Sequence, residues 1–112
     1  MAGFRRPRRL GNLHPALGIA MPDPLFITSE IHITPGAILA LAQAGQNPAE
    51  FLTRHFYGDW GDVDAHDAAM NNAAVKEKGR ILSVYHTAWD EKIYVLTDPG
   101  HQRTTILLPE ES

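Results

Sequence analysis

Two helix starts with the same punctuation follow closely in this chain, and they restrict its fold more than any other feature. In "TPGAILALAQAG" Thr34 stands as N-cap, Pro35 takes the first helical position and Gly45 marks the stop. In "NPAEFLTRHFYG" Asn47 caps, Pro48 opens, Glu50 stands where a capping-box carboxylate belongs and Gly58 closes. An oxygen at the N-cap satisfies an amide that the first turn leaves unpaired. Proline already holds the helical φ, and glycine reaches the left-handed conformation at a helix end without strain. The spacing therefore predicts two short helices in a tight hairpin. Ile38, Leu39, Leu41 and Ala42 supply the apolar face of the first, and Phe51, Leu52, His55 and Phe56 that of the second. A third helix is expected over "DAHDAAMNNAAVKEKG". Asp64 is its N-cap, Asp67 favours the dipole in its first turn, Lys76 and Lys78 fall in its last turn, and Gly79 is its left-handed cap.

Strand character surrounds these helices. "PLFITSEIHIT", Pro24 to Thr34, is rich in Ile, Phe and Thr and reads as a strand at an edge. After Gly79 come "RILSVYHT", "KIYVLT" and "RTTILLP", separated by the turns "AWDE" and "DPGHQ". Connections this short make consecutive strands neighbours, which predicts a three-stranded antiparallel meander. The expected fold class is α+β, an N-terminal strand and about three helices packed on one face of that meander.

At 112 residues the chain has room for one core. No run approaches the roughly 20 apolar residues of a membrane span. The absence of cysteine excludes disulfides, zinc thiolate sites and thiol nucleophiles, and it fits a cytoplasmic setting. Charge is unevenly placed. Arg5, Arg6, Arg8 and Arg9 lie in a basic arm over residues 1–20, and the first acidic residue is Asp23. Beyond the arm, six basic residues face thirteen acidic ones, a net of −7. The arm is expected to be poorly ordered, its arginines able to tether nucleic acid, with a start at Met21 as the alternative to its being made at all. Residues 21–112 are expected to form the single domain. An acidic body argues against nucleic-acid binding by the core, because phosphates need clustered Lys and Arg.

Three sets of residues carry the chemistry that the sequence offers. The first is "HFYGDWGDVDAHD", His55 to Asp67. His55, Asp59, Asp62 and His66 have the ligand types of a metal site, but no calcium-loop glycine or glutamate falls in register and the histidines lie on different helices. A turn explains the same residues: Gly58 and Gly61 permit it, Trp60 packs as a plug, and Asp62 or Asp64 caps the next helix. In the second reading the exposed side of this loop, with Trp60, Asp59 and Asp62, binds a protein partner. The third set is Arg80, His86, His101 and Arg103 on the meander. A small helix-plus-sheet protein with such groups resembles the barnase- and RelE-like ribonuclease toxins, in which a base and cations serve 2′-hydroxyl attack. The acidic body opposes that reading. No nucleophile elbow, phosphate loop, dinucleotide fingerprint or thiol pair is present, so no cofactor is expected and the reading leans away from an enzyme.

The motifs "TPGA" at Thr34 to Ala37, "RH" at Arg54 to His55, "GDWGD" at Gly58 to Asp62 and "TTILLPEE" at Thr104 to Glu111 together resemble a family of small proteins of plasmids and other mobile elements. Its members carry the labels plasmid-related protein or type I restriction endonuclease subunit M. The resemblance covers roughly residues 33–111. It departs at Ser112, where the family pattern closes on Tyr, and at "TDPGHQR", where the family turn is more acidic. A modification subunit must hold S-adenosylmethionine and flip a base in a large α/β domain, which this length cannot house. The resemblance thus implies a mobile-element setting and no particular reaction. The expectation is a small accessory protein acting by protein–protein binding, in host defence or plasmid maintenance.

Overall fold

The computed structural model describes residues 23–112 and, from the preceding arm, the backbone of an antiparallel pair, β1 (Leu13–His14) with β2 (Ile19–Ala20). Arg5, Arg6, Arg8 and Arg9, and the expectation about their order, lie outside the described residues.

The class is α+β. Strand β3 (Glu30–Ile33) leads into α1 (Pro35–Ala44), α2 (Pro48–Phe56) and α3 (Ala65–Glu77), followed by β4 (Ile81–His86), β5 (Lys92–Thr97) and β6 (Arg103–Leu107). A 3-10 turn, Pro109–Glu111, closes the chain. The meander forms as its turn residues require, β4 antiparallel to β5 and β5 to β6. The sheet is nevertheless mixed, with four strands in the order β3-β6-β5-β4, because β3 joins β6 in parallel. A parallel partner has to be reached through a long crossover, and here the crossover is the whole helical region, which no local signal reveals. The first strand is also shorter than expected. Pro24 has no amide to give a ladder, and the Leu25 amide is taken by the Phe56 carbonyl at 2.8 Å.

All three expected N-caps are in place. Thr34 accepts from the Ala37 amide, Asn47 from Ala49 and Asp64 from Asp67. Glu50 does not complete a capping box; its carboxylate accepts instead from Gln46 Nε2 at 3.1 Å. The end of α3 also differs from expectation. Lys78 takes the left-handed conformation at φ 57°, while the Gly79 amide reaches the Ala74 carbonyl at 3.1 Å. A side chain on Gly79 would begin 3.3 Å from the Ala74 methyl, so glycine serves close packing there. At α1, Ala37, Ala40 and Leu41 are buried while Ile38 and Leu39 are 55% and 59% exposed. The helix lies close to the sheet and turns its small residues inward.

The core has two parts. Helices α1 and α2 place Ala37, Leu41 and Phe51 against Ile93, Val95 and Ile106 of the sheet. Each such fully buried large apolar side chain stabilises by about 1.5–3 kcal/mol relative to exposure. At the β4 end, Trp60, Ala74 and Ile81 form the second part, which extends through Phe26, Val63 and Val75. Among the described residues no helix is long and apolar enough to cross a membrane.

Candidate functional site

The loop after α2 is built by contacts that use nearly every residue of "GDWGD". Gly58 and Gly61 stand at φ 89° and 76°, outside the range of ordinary side chains. A Cβ on Gly61 would meet the Val84 carbonyl oxygen at 2.1 Å, so the loop backbone can approach β4 only as glycine. That approach makes a bridge: the Val84 amide donates to Trp60 O at 3.0 Å and the Asp62 amide to Val84 O at 2.7 Å. Asp59 Oδ1 accepts from the Gly61 amide at 3.1 Å, and Asp59 Oδ2 from Arg54 Nε at 2.7 Å. The Arg54 guanidinium lies 4.4 Å from the centroid of the Tyr85 ring, whose hydroxyl donates to Asp59 O at 2.6 Å. The hydrogen bond from Arg54 holds the Asp59 carboxyl below the usual carboxylate range and raises Arg54 in turn, while burial pushes the Tyr85 phenol up to about 12.

Trp60 is buried, 6% exposed, and its Nε1 donates to Asn72 Oδ1 at 3.0 Å. Its ring is a plug of the second core and not part of the surface. What the loop shows to solvent is carboxylate: Asp59, Asp62, Asp64 and Asp67 are all exposed. Two grooves flank the bridge and share Asp62 and Val84. One, about 380 Å³, is lined by Asp62, Asp64, Asp67, Met70, Leu82 and Arg80. The other, about 410 Å³, is lined by Arg54, Asp59, Tyr85 and His86.

His55 belongs to a different environment. It is fully buried, with Nδ1 2.6 Å from Ser83 Oγ and Nε2 2.9 Å from Thr97 Oγ1. Thr97 Oγ1 lies 2.7 Å from Thr104 Oγ1, to which Thr28 donates at 3.0 Å. The hydroxyls of Thr28, Thr104 and Thr97 thus form a continuous chain that ends on Nε2, while Ser83 meets Nδ1. Burial, with His101 nearby, lowers the imidazole to about 3, so the ring is neutral. Both nitrogens are therefore occupied, and His55 cannot join Asp59, Asp62 and the exposed His66 around a metal. Among the described residues no group of three or more His, Asp or Glu side chains is placed to hold an ion.

The ribonuclease set does not converge either. His86 pairs with Lys92 at one end of the meander, while Ile81 pairs with Thr97 at the other. Five residues of strand put these ends roughly 16 Å apart. Arg80, His101 and Arg103 belong to the far end. His101 Nε2 is 2.8 Å from the Gly79 carbonyl and its ring packs 5.1 Å from Phe26, while Arg103 Nε stands 3.5 Å from Glu30 Oε1. Arg80 and His86 do line adjoining grooves, one each, with the Asp62–Val84 bridge between them.

Sequence reasoning missed Ser83, Thr97 and Thr104 as a buried polar relay, and Asn71 as a second partner of β4. A signal existed for Ser83, which alternates with Ile81 and Tyr85 and must face inward with them. Asn71 Nδ2 donates to Leu82 O at 2.9 Å and its Oδ1 accepts from the Leu82 amide at 3.2 Å. No family model, no curated protein and no solved structure matches this chain.

Proposed function

We propose that this chain is a binding protein whose working surface is the acidic trough on the Asp64 and Asp67 side of the Asp62–Val84 bridge, and that its partner is a protein segment bearing Lys or Arg. One observation carries the reading: exposed Asp62, Asp64 and Asp67 line a groove together with the apolar Met70, Leu82 and Val84, where, among the described residues, three carboxylates outnumber the one cation, Arg80. Carboxylates beside apolar side chains suit a long cationic side chain, whose stem packs while its head is paired. The residues of "GDWGD" that build the loop are occupied inside the fold, and Asp62 keeps its carboxylate outward. The trough supersedes a surface centred on Trp60, because a buried ring has nothing to offer a partner. Separation of His86 from Arg80, His101 and Arg103, together with the net −7 of the body, weighs against the ribonuclease alternative. The resemblance of "TPGA", "GDWGD" and "TTILLPEE" to plasmid-related proteins supports a cytoplasmic accessory role for a mobile element, in host defence or maintenance.

The test is fluorescence anisotropy with Lys/Arg-rich and Asp/Glu-rich peptides of equal length, using wild type and Asp62→Lys. The reading expects binding of the basic peptide alone, weakened by salt and by Asp62→Lys. Equal binding of both peptides, or a trough variant that binds as well as wild type, removes it. RNA cleavage or growth inhibition lost in His86→Ala and His101→Ala would restore the toxin alternative.

A further inference from the structure

The edge of β3 opposite β6 has no strand beside it among the described residues. Its backbone polarity is set by the parallel pairing. The Glu30 amide donates to Gln102 O at 3.0 Å and the Thr34 amide to Ile106 O at 3.0 Å, so even-numbered residues turn their peptide groups toward β6. Ser29, Ile31 and Ile33 turn theirs outward. The side chains alternate as well: Ile31 and Ile33 stand on the helix side, and Glu30 and His32 on the opposite face, where Glu30 meets Arg103 and His32. Ile27 and Ile31 are 68% and 41% exposed.

We infer that this edge pairs with a second copy of itself, antiparallel, with Ile31 opposite Ile31. Two-fold pairing of outward odd-numbered groups allows three central registers. One sets Glu30 against Glu30 and juxtaposes two carboxylates. Another sets His32 against His32. The third centres on Ile31, makes hydrogen-bonded pairs of Ile31 with Ile31 and of Ser29 with Ile33, and sets Glu30 of each copy against His32 of the other. Only this third register sets a carboxylate against an imidazole, a pair able to hydrogen-bond, at the closely spaced, non-hydrogen-bonded position, twice over. It also buries the two Ile31 side chains against each other. The product is one eight-stranded sheet with the two acidic troughs at its far ends, because β4 is the other edge. This inference is independent of what the troughs bind.

Sedimentation equilibrium of the full chain over a concentration series, with amide exchange on the same samples, tests it. The mass should rise from one chain to two, and the Ile31 and Ile33 amides should exchange slowly in the dimer. Ile31→Pro removes one outward amide and none of the bonds to β6, so it should raise the dimer Kd at least about tenfold with circular dichroism unchanged. Glu30→Lys should weaken association, and Glu30→Lys with His32→Glu should restore it, since the exchanged pair sets Lys against Glu; this pair decides the matter should the proline variant fail to fold. A chain that stays single at every concentration overturns the inference. If its Ile31 amide is slow all the same, another segment of the same chain covers the edge. A dimer indifferent to these variants is built on a different surface, and overturns it equally.

Discussion

Along β4 the outward backbone groups of Leu82 and Val84 are taken up by the chain itself: Trp60 and Asp62 pair with Val84, and the Asn71 amide pairs with Leu82 as a strand would. Along β3 the outward groups of Ser29, Ile31 and Ile33 have no such neighbour among the described residues. An unpaired edge is a template for association, and proteins cover it or charge it. This chain covers the edge where a second core has been built beyond the sheet, and leaves Glu30, His32 and two isoleucines at the edge where none has. The covered edge should therefore carry stability and the bare edge should carry almost none.

The largest effect expected at the covered side comes from acid. His55 lies beneath β4 and β5 with its pKa lowered to about 3 from 6.5, so the unfolded chain binds the proton more readily. Stability is then fully present above pH 6.5 and is lost as pH falls toward 3. The loss is on the order of 4–5 kcal/mol at the low end, from 1.36 kcal/mol per pH unit. Urea unfolding at stepped pH checks the slope, and His55→Gln should flatten it. Next comes Trp60→Ala, which empties the second core and should cost about 3–5 kcal/mol in the same assay. A folded, stable Trp60→Ala protein would contradict its place as a plug. Asn71→Ala leaves the Leu82 amide and carbonyl without their partner and should cost about 1–3 kcal/mol, with faster exchange at Leu82 as its local signature. Smallest is Ile31→Lys at the bare edge. It should change the stability of the single chain by no more than about 0.5 kcal/mol, read by urea unfolding at low concentration.

What could be read in the sequence followed the range of the interactions. Thr34, Asn47 and Asp64 act within three residues of themselves, and each caps the helix expected of it. The meander was legible for the same reason, its turns being short. Ile38 and Leu39 misled because helical spacing offers several apolar faces and only the distance to the sheet selects the one with Ala37 and Ala40. Lys78 took the left-handed position expected of Gly79, and Gly79 packs close to Ala74 instead. The β3–β6 pairing was beyond reach, since Ser29 and Gln102 meet across 73 positions. The candidate site divided likewise. The turn character of "GDWGD" and the plug role of Trp60 were readable, whereas the partners of His55 come from two strands far along the chain. Nothing local separated a buried neutral imidazole from a ligand.

The place of β6 governs the order in which this molecule can assemble. It lies between β3 and β5, yet it is made after every other strand of the sheet. The same late segment brings Glu111, whose carboxylate meets the Thr34 hydroxyl and the Gly36 amide, so even the first helix is capped in part by a residue 77 positions away. While a ribosome is still making the chain, β3 has no partner and β5 offers an open side. Contacts of such long range are slow to form, because a large loop must close before any of them is made. The four-stranded sheet can therefore close only after β6 has been made.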